Sequence, residues 1–133
     1  MCRSILGSST WEHCVTLLVY IAGPYTGDGS PEAAERNVRA AIDAQAQLLD
    51  AGVLAIVPHL SHYAHAVCPR SYEAWMTLDL ALVDRCDAVL RLPGESRGAD
   101  DEVLRAQEDG TMVLYSVEDV IAWAPQTAAR GRR

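Results

Sequence analysis

VTLLVYIAGPY, residues 15–25, begins as an apolar run to Ala22 and closes in a glycine–proline turn, the pattern of a buried strand leaving a sheet at its carboxyl end. Outward from it, short apolar runs alternate with longer stretches of helical period. The sequence predicts strands over 15–22, 53–57, 88–92 and 111–115, and helices over 31–51, 71–85, 99–109 and 117–124. Such alternation argues an α/β fold: a doubly wound, mostly parallel sheet of four to five strands with helices on both faces, a Rossmann- or flavodoxin-like three-layer arrangement.

Punctuation agrees with those boundaries. Ser30 stands as an N-cap before Pro31 at the first helical position, and Gly52 falls just past the helix end. Val38, Ala41, Ile42, Leu48 and Leu49 share one stripe of that helix. Ser71 caps the next helix and Gly110 stops the third. Residues 15–127 form one domain on this reading, with 1–14 and 128–133 as loose termini.

Composition narrows the function. Eighteen acidic residues against eleven basic ones give a net charge of −7, which opposes binding to a nucleic-acid polymer and favours a small, soluble partner. All the basic residues are arginines, so neither Schiff-base chemistry nor a lysine-bearing phosphate loop is open to the chain. Cys2, Cys14, Cys68 and Cys86 are too scattered for a disulfide framework and form no CxxC pair. The apolar run at 15–22 falls short of the ~20 residues a membrane span needs, and no secretory signal precedes it. A cytoplasmic protein away from the membrane is the expectation.

In an open parallel sheet the ligand crevice lies beyond the carboxyl ends of the strands. Three loops reach that edge: AGPYTGDGS at 22–30, PHLSHYAHAVCPR at 58–70 and PGESRG at 93–98. The segment from Tyr20 to Tyr25 ends the first strand and turns at Gly23-Pro24, with Tyr20 as a core tyrosine or one that reaches the crevice edge. On the second helix Tyr72, Trp75, Met76, Asp79 and Val83 lie on one side, which places a carboxylate amid an apolar stripe. Asp79 is either exposed or arginine-paired there, or it points into the crevice. Asp84 and Asp87 lie off the stripe, as a solvated residue and a strand-entry residue.

Glu102 sits near the start of the third helix beside Asp100 and Asp101, where the dipole alone favours acids. The preceding PGESRG turn changes its meaning. Backbone N–H groups at a helix start, the Ser96 hydroxyl and flanking glycines make an anion cradle, and Glu102 would face whatever that anion carries. The loops and the stripe nominate Gly23, Pro24, Tyr25, His59, His62 and Trp75 as substrate contacts. The cradle adds Pro93, Gly94, Ser96, Arg97 and Gly98.

Other chemistries fit less well. Gly27 and Gly29 do not complete GxGxxG, and no GxSxG elbow exists. His59, His62, His65 and Cys68 recur every third residue, which could bind zinc if the loop wound as a tight turn with eclipsed side chains, whereas on an α-helix the row drifts by about 60° per step and cannot close on one ion. Neither a metal nor an organic cofactor is expected.

YIAGPY at 20–25, PHLSHY at 58–63, Asp79 and Asp87 within DLALVDRCDAVL, and S-x-G-x-x-x-E from Ser96 to Glu102 together resemble the nucleoside 2-deoxyribosyltransferase family and its relatives, the 2'-deoxynucleoside 5'-phosphate N-hydrolases. The resemblance implies that Glu102 attacks the anomeric carbon, that Asp79 orients sugar and base and assists proton movement, and that Tyr20 holds the nucleophile. A retaining displacement needs such a carboxyl pair about 5–5.5 Å apart. It implies a homo-oligomer as well, with each site completed by a neighbouring subunit.

Six residues before the glutamate, the family's transferases tend to carry an acid that binds the sugar 5'-hydroxyl, whereas its nucleotide hydrolases carry serine. Ser96 with Arg97 beside it therefore favours a nucleoside 5'-monophosphate over a free nucleoside. The turn after Tyr20 departs from the hydrolases, with Pro24 and Thr26 where they place polar and basic phosphate contacts. A transferase acting on free nucleosides, or a nucleotide-binding module without turnover, are the alternatives.

Overall fold

The strands of the sheet alternate their side chains between two faces, and each face is covered by its own helices. The computed structural model of the protein describes residues 17–129. Its elements run β1 (Leu18–Ala22), α1 (Pro31–Asp50), β2 (Leu54–Ile56), α2 (Ser61–Val67), α3 (Tyr72–Val83), β3 (Ala88–Arg91), α4 (Arg97–Glu108), β4 (Met112–Leu114) and α5 (Val117–Ala129). The strands form one parallel sheet in the order β2-β1-β3-β4, a doubly wound α/β arrangement whose connections reverse direction at β1 and β3.

Period-2 alternation decides what each strand residue meets. Val19 and Ile21 of β1, with Ala88 and Leu90 of β3, pack under α1 and α5. Tyr20 and Ala22 point the opposite way, with Val89, into a second cluster closed by Val83 of α3 and by Ala99 and Ala106 of α4. One strand thus supplies an aliphatic core on one face and sends a tyrosine toward α4 on the other.

The caps form as the sequence predicts: Ser30 accepts from the Ala33 N–H, Ser71 from Ala74 and Ser96 from Ala99. Gly52 has φ +82°, the left-handed conformation that lets the chain leave α1, and the Val53 N–H bonds back to the Leu48 carbonyl.

Several expectations are corrected. The second and fourth strands are shorter than predicted by one residue at each end, Val53, Val57, Thr111 and Tyr115 lying outside the ladder. Helix α4 starts at Arg97 rather than 99, since Ser96 caps it. A short 3₁₀ turn, Pro58–Leu60, and α2 occupy the segment read as a loop. Ile42 and Leu49 are exposed; α1 buries Ala33, Ala34, Val38, Ala41, Ala44 and Leu48 instead, a stripe narrow enough for close approach to the sheet. Helix α5 continues through Pro125 to Ala129, so residues 128 and 129 of the expected tail are helical. The N-terminal segment 1–14, the first two residues of the predicted first strand and the tail from 130 lie outside the described residues.

Candidate active site

The carboxyl ends of β1 and β3 lie side by side, and above them opens a cavity of about 820 Å³. Its position is the switch point of the sheet, where ligands bind in open α/β folds. The floor is Glu102, in the second turn of α4, and only 6% of that residue is exposed. The hydroxyl of Tyr20, a fully buried residue in the middle of β1, donates to Glu102 Oε1 over 3.0 Å. Asp79 lines the same cavity from α3 with Tyr72, Trp75 and Met76 beside it, so its apolar stripe borders a crevice.

Burial dominates the electrostatics. It raises the Glu102 carboxyl to about 8, helped by the negative field of Asp79 and opposed by the Tyr20 hydrogen bond and the charge of Arg91. Burial also raises Asp79 to about 6. Tyr20 is driven far above its ordinary value by burial and then by the two carboxylates, so it stays a neutral donor. Between about pH 6 and pH 8 the pair therefore holds one proton.

The third wall is the start of α4. Ser96 spends its Oγ lone pair on the Ala99 N–H at 3.1 Å, and its own hydroxyl proton remains available to the cavity. The Arg97 and Gly98 N–H groups belong to the first turn, where no carbonyl of the helix can accept them. Arg97 and Arg70 add positive charge to the lining and Glu95 adds an opposing one.

Of the other nominated residues, Gly23, Tyr25, His59, Trp75, Ser96, Arg97 and Gly98 line the cavity. Pro24, His62, Pro93 and Gly94 do not. The Pro24 carbonyl meets His59 Nε2 at 3.0 Å, and Gly94, at φ +112°, packs so close to Pro24 that a Cβ would lie 2.8 Å from its Cγ. His62 Nδ1 lies 2.7 Å from the Tyr25 hydroxyl, and Pro93 is exposed on the same turn as Gly94. The spaced histidines have separate partners: His59 at Pro24, His62 at Tyr25, and His65, whose Nδ1 accepts the Trp75 indole N–H at 2.8 Å. Among the described residues no group of His, Cys, Asp and Glu is arranged to hold a metal ion.

Sequence reasoning did not nominate Thr26, Gly27, Pro58, Ser61, His65, Arg70 or Glu95 for the lining. It also missed Arg91, which lies behind it. The positions of His65 and Arg70 follow from α2, whose start has no side-chain cap to announce it. Asp84 is bonded twice to Arg105, and Asp87 accepts the Leu18 N–H at 2.8 Å, which ties the start of β3 to β1.

The chain is thus a doubly wound α/β protein with a tyrosine-bound glutamate and a second raised carboxyl at the switch point of its sheet. The chain belongs to the family described as a domain of unknown function, DUF4406, whose model matches residues 17–115. In fold it is similar to a 2-desoxiribosyltransferase from Leishmania mexicana, at 19% identity and a TM-score of 0.53. That likeness covers 74% of this chain and 63% of the other, so the chain spans about three-fifths of that structure's length. No curated protein matches the sequence.

Proposed function

We propose that the protein cleaves the N-glycosidic bond of a nucleoside 5'-monophosphate with Glu102 as nucleophile. The observation that carries this reading is the pairing of a buried, tyrosine-bound glutamate with a second raised carboxyl in one cavity. The Glu102 carboxylate forms a bond to C1' as the C1'–N bond breaks, and the electron pair leaves with the base nitrogen, which takes a proton from Asp79. Water, or the nitrogen of a second base, then attacks C1' and gives its proton to the Asp79 carboxylate as the bond from C1' to Glu102 breaks. Tyr20 donates to Glu102 throughout and fixes which oxygen faces the sugar.

The fold likeness to a deoxyribosyltransferase supports glycosyl transfer on nucleosides as the wider class. Support for the 5'-phosphate is local: the Ser96 hydroxyl, two first-turn N–H groups and Arg97 converge at the α4 start. The deciding experiment is release of free base from deoxynucleoside monophosphates by the wild-type protein and by Glu102→Ala. The expected result is base release by the wild type only, with ligand binding retained in the variant. Binding without base release by the wild type would leave a nucleotide-binding module.

A homo-oligomer belongs to the same proposal. Helix α3 is apolar on nearly all sides, yet Val83 is its single buried residue, which suits a helix covered by a second copy of the chain.

A further inference from the structure

Arg91 ends β3 directly beneath the turn that leads to α4, and its side chain is only 11% exposed. Three acceptors hold its guanidinium. One Nη donates to the Leu92 carbonyl; the other donates to the Gly94 carbonyl at 2.9 Å and to Asp100 Oδ1 at 2.9 Å. A fork of fixed geometry thus joins the turn at 92–94 to the first turn of α4. Gly94 in turn rests against Pro24, whose carbonyl meets His59. The walls made by the loops after β1 and β3 are therefore locked through one arginine.

The same cation lies near enough to Glu102 for its field to be felt there. The charged and titratable groups that act on Glu102 come from every element around it: Tyr20 of β1, Asp79 of α3, Arg91 of β3 and Asp101 of its own helix. Both acids favour the protonated form, and so does burial. Tyr20 and Arg91 oppose them.

We propose that Arg91 is a positioning residue of this site: it ties the turn at 92–94 to the start of α4, and it is the cationic neighbour of the buried Glu102 carboxyl. This rests on Glu102 being the nucleophile. A surface cation paired with Asp100 alone would have neither effect, because that acid is itself solvent-exposed and exposed pairs contribute little.

The experiment compares Arg91→Gln, which removes the charge and keeps a donor, with Arg91→Lys, which keeps the charge and loses the fork. The side-chain carbon of Glu102 is titrated by NMR in the unliganded proteins, and base release from monophosphates is followed alongside. In Arg91→Gln the Glu102 midpoint should rise by roughly half to one pH unit, the scale of one lost neighbouring charge. In Arg91→Lys the midpoint should hold within about 0.3 units while KM for monophosphates climbs several-fold, since the cradle loosens.

A folded Arg91→Gln protein with an unmoved midpoint would overturn the electrostatic role, and so would a rise in Arg91→Lys equal to that in Arg91→Gln. Unchanged KM in Arg91→Lys would overturn the clamp. If Arg91→Gln does not fold, Arg91→Met, which also removes the charge, takes its place in the titration, and Arg91→Lys decides the clamp through KM. Absence of base release in the wild type would defeat the N-glycosidase reading, while the titration would still judge the effect of Arg91 on Glu102.

Discussion

Glu102 and Asp79 reverse the usual order of a nucleophile and its proton donor. With Glu102 near 8 and Asp79 near 6, the prevailing one-proton form places the proton on Glu102, whereas attack on C1' needs it on Asp79. Both arrangements carry the same total charge, so they share one pH window. Below about 6 both groups are protonated and the nucleophile is lost; above about 8 both are ionised and the donor is lost. The expected kcat/KM profile is a bell between those values. A phosphate monoester titrates near 6 as well, so Asp79→Asn supplies the control. Removing the negative neighbour lowers the Glu102 limb below about 8 and abolishes the alkaline fall. A variant profile that stays bell-shaped with an unmoved limb would remove Asp79 from the proton path.

Helix α4 brings cap, cradle and nucleophile onto one element, and that sets how its start can be tested. Serine and aspartate are comparable N-caps, so Ser96→Asp keeps the bond to the Ala99 N–H and with it the helix. What changes is charge: an acid facing the cavity should raise KM for a monophosphate at least ten-fold, while a free nucleoside changes by less than about three-fold. Equal loss for both substrates, measured by base release, would remove the phosphate from the proposal. Elements of this kind were readable from sequence because their signals are local. Ser96 caps from the adjacent turn, Asp79 interrupts an apolar stripe, and Tyr20 precedes a glycine–proline turn. Helix α2 was not readable, since Leu60 offers no capping side chain and the helix buries no residue to mark a period. That His62 and Pro24 stand outside the cavity lining was not readable for a related reason. Their partners, Tyr25 and His59, lie 37 and 35 residues away, and no spacing within a single loop encodes such contacts. Arg91 falls inside the strand expected over 88–92 with nothing to single it out; only the folded turn supplies the three acceptors that hold it.

The molecule as a whole leaves one element unfinished. Helix α3 carries Asp79 into the cavity from one side, with Tyr72, 56% exposed, in the same lining, and away from that stripe it presents Leu78 at 47% exposure. Nearby chain adds Tyr63 and Val67 of α2 and Leu104 of α4 to the exposed apolar residues, whereas the aliphatic core under α1 and α5 is closed. A net charge of −7 would push two copies apart unless they met on an uncharged face, and α3 carries only Glu73 and Asp79 as charged residues. The second copy is therefore expected against α3, which also brings it beside the cavity. Sedimentation equilibrium at micromolar concentration should give twice the chain mass for the wild type. Leu78→Arg places a charge at the centre of that face and should give the monomer, with the far-ultraviolet spectrum unchanged because the side chain is not part of the core. If the cavity is shared across the interface, base release should fall with the dimer and recover as protein concentration rises. A wild-type protein that sediments as a monomer would mean that α3 stands uncovered, and that whatever completes the cavity comes from its own chain.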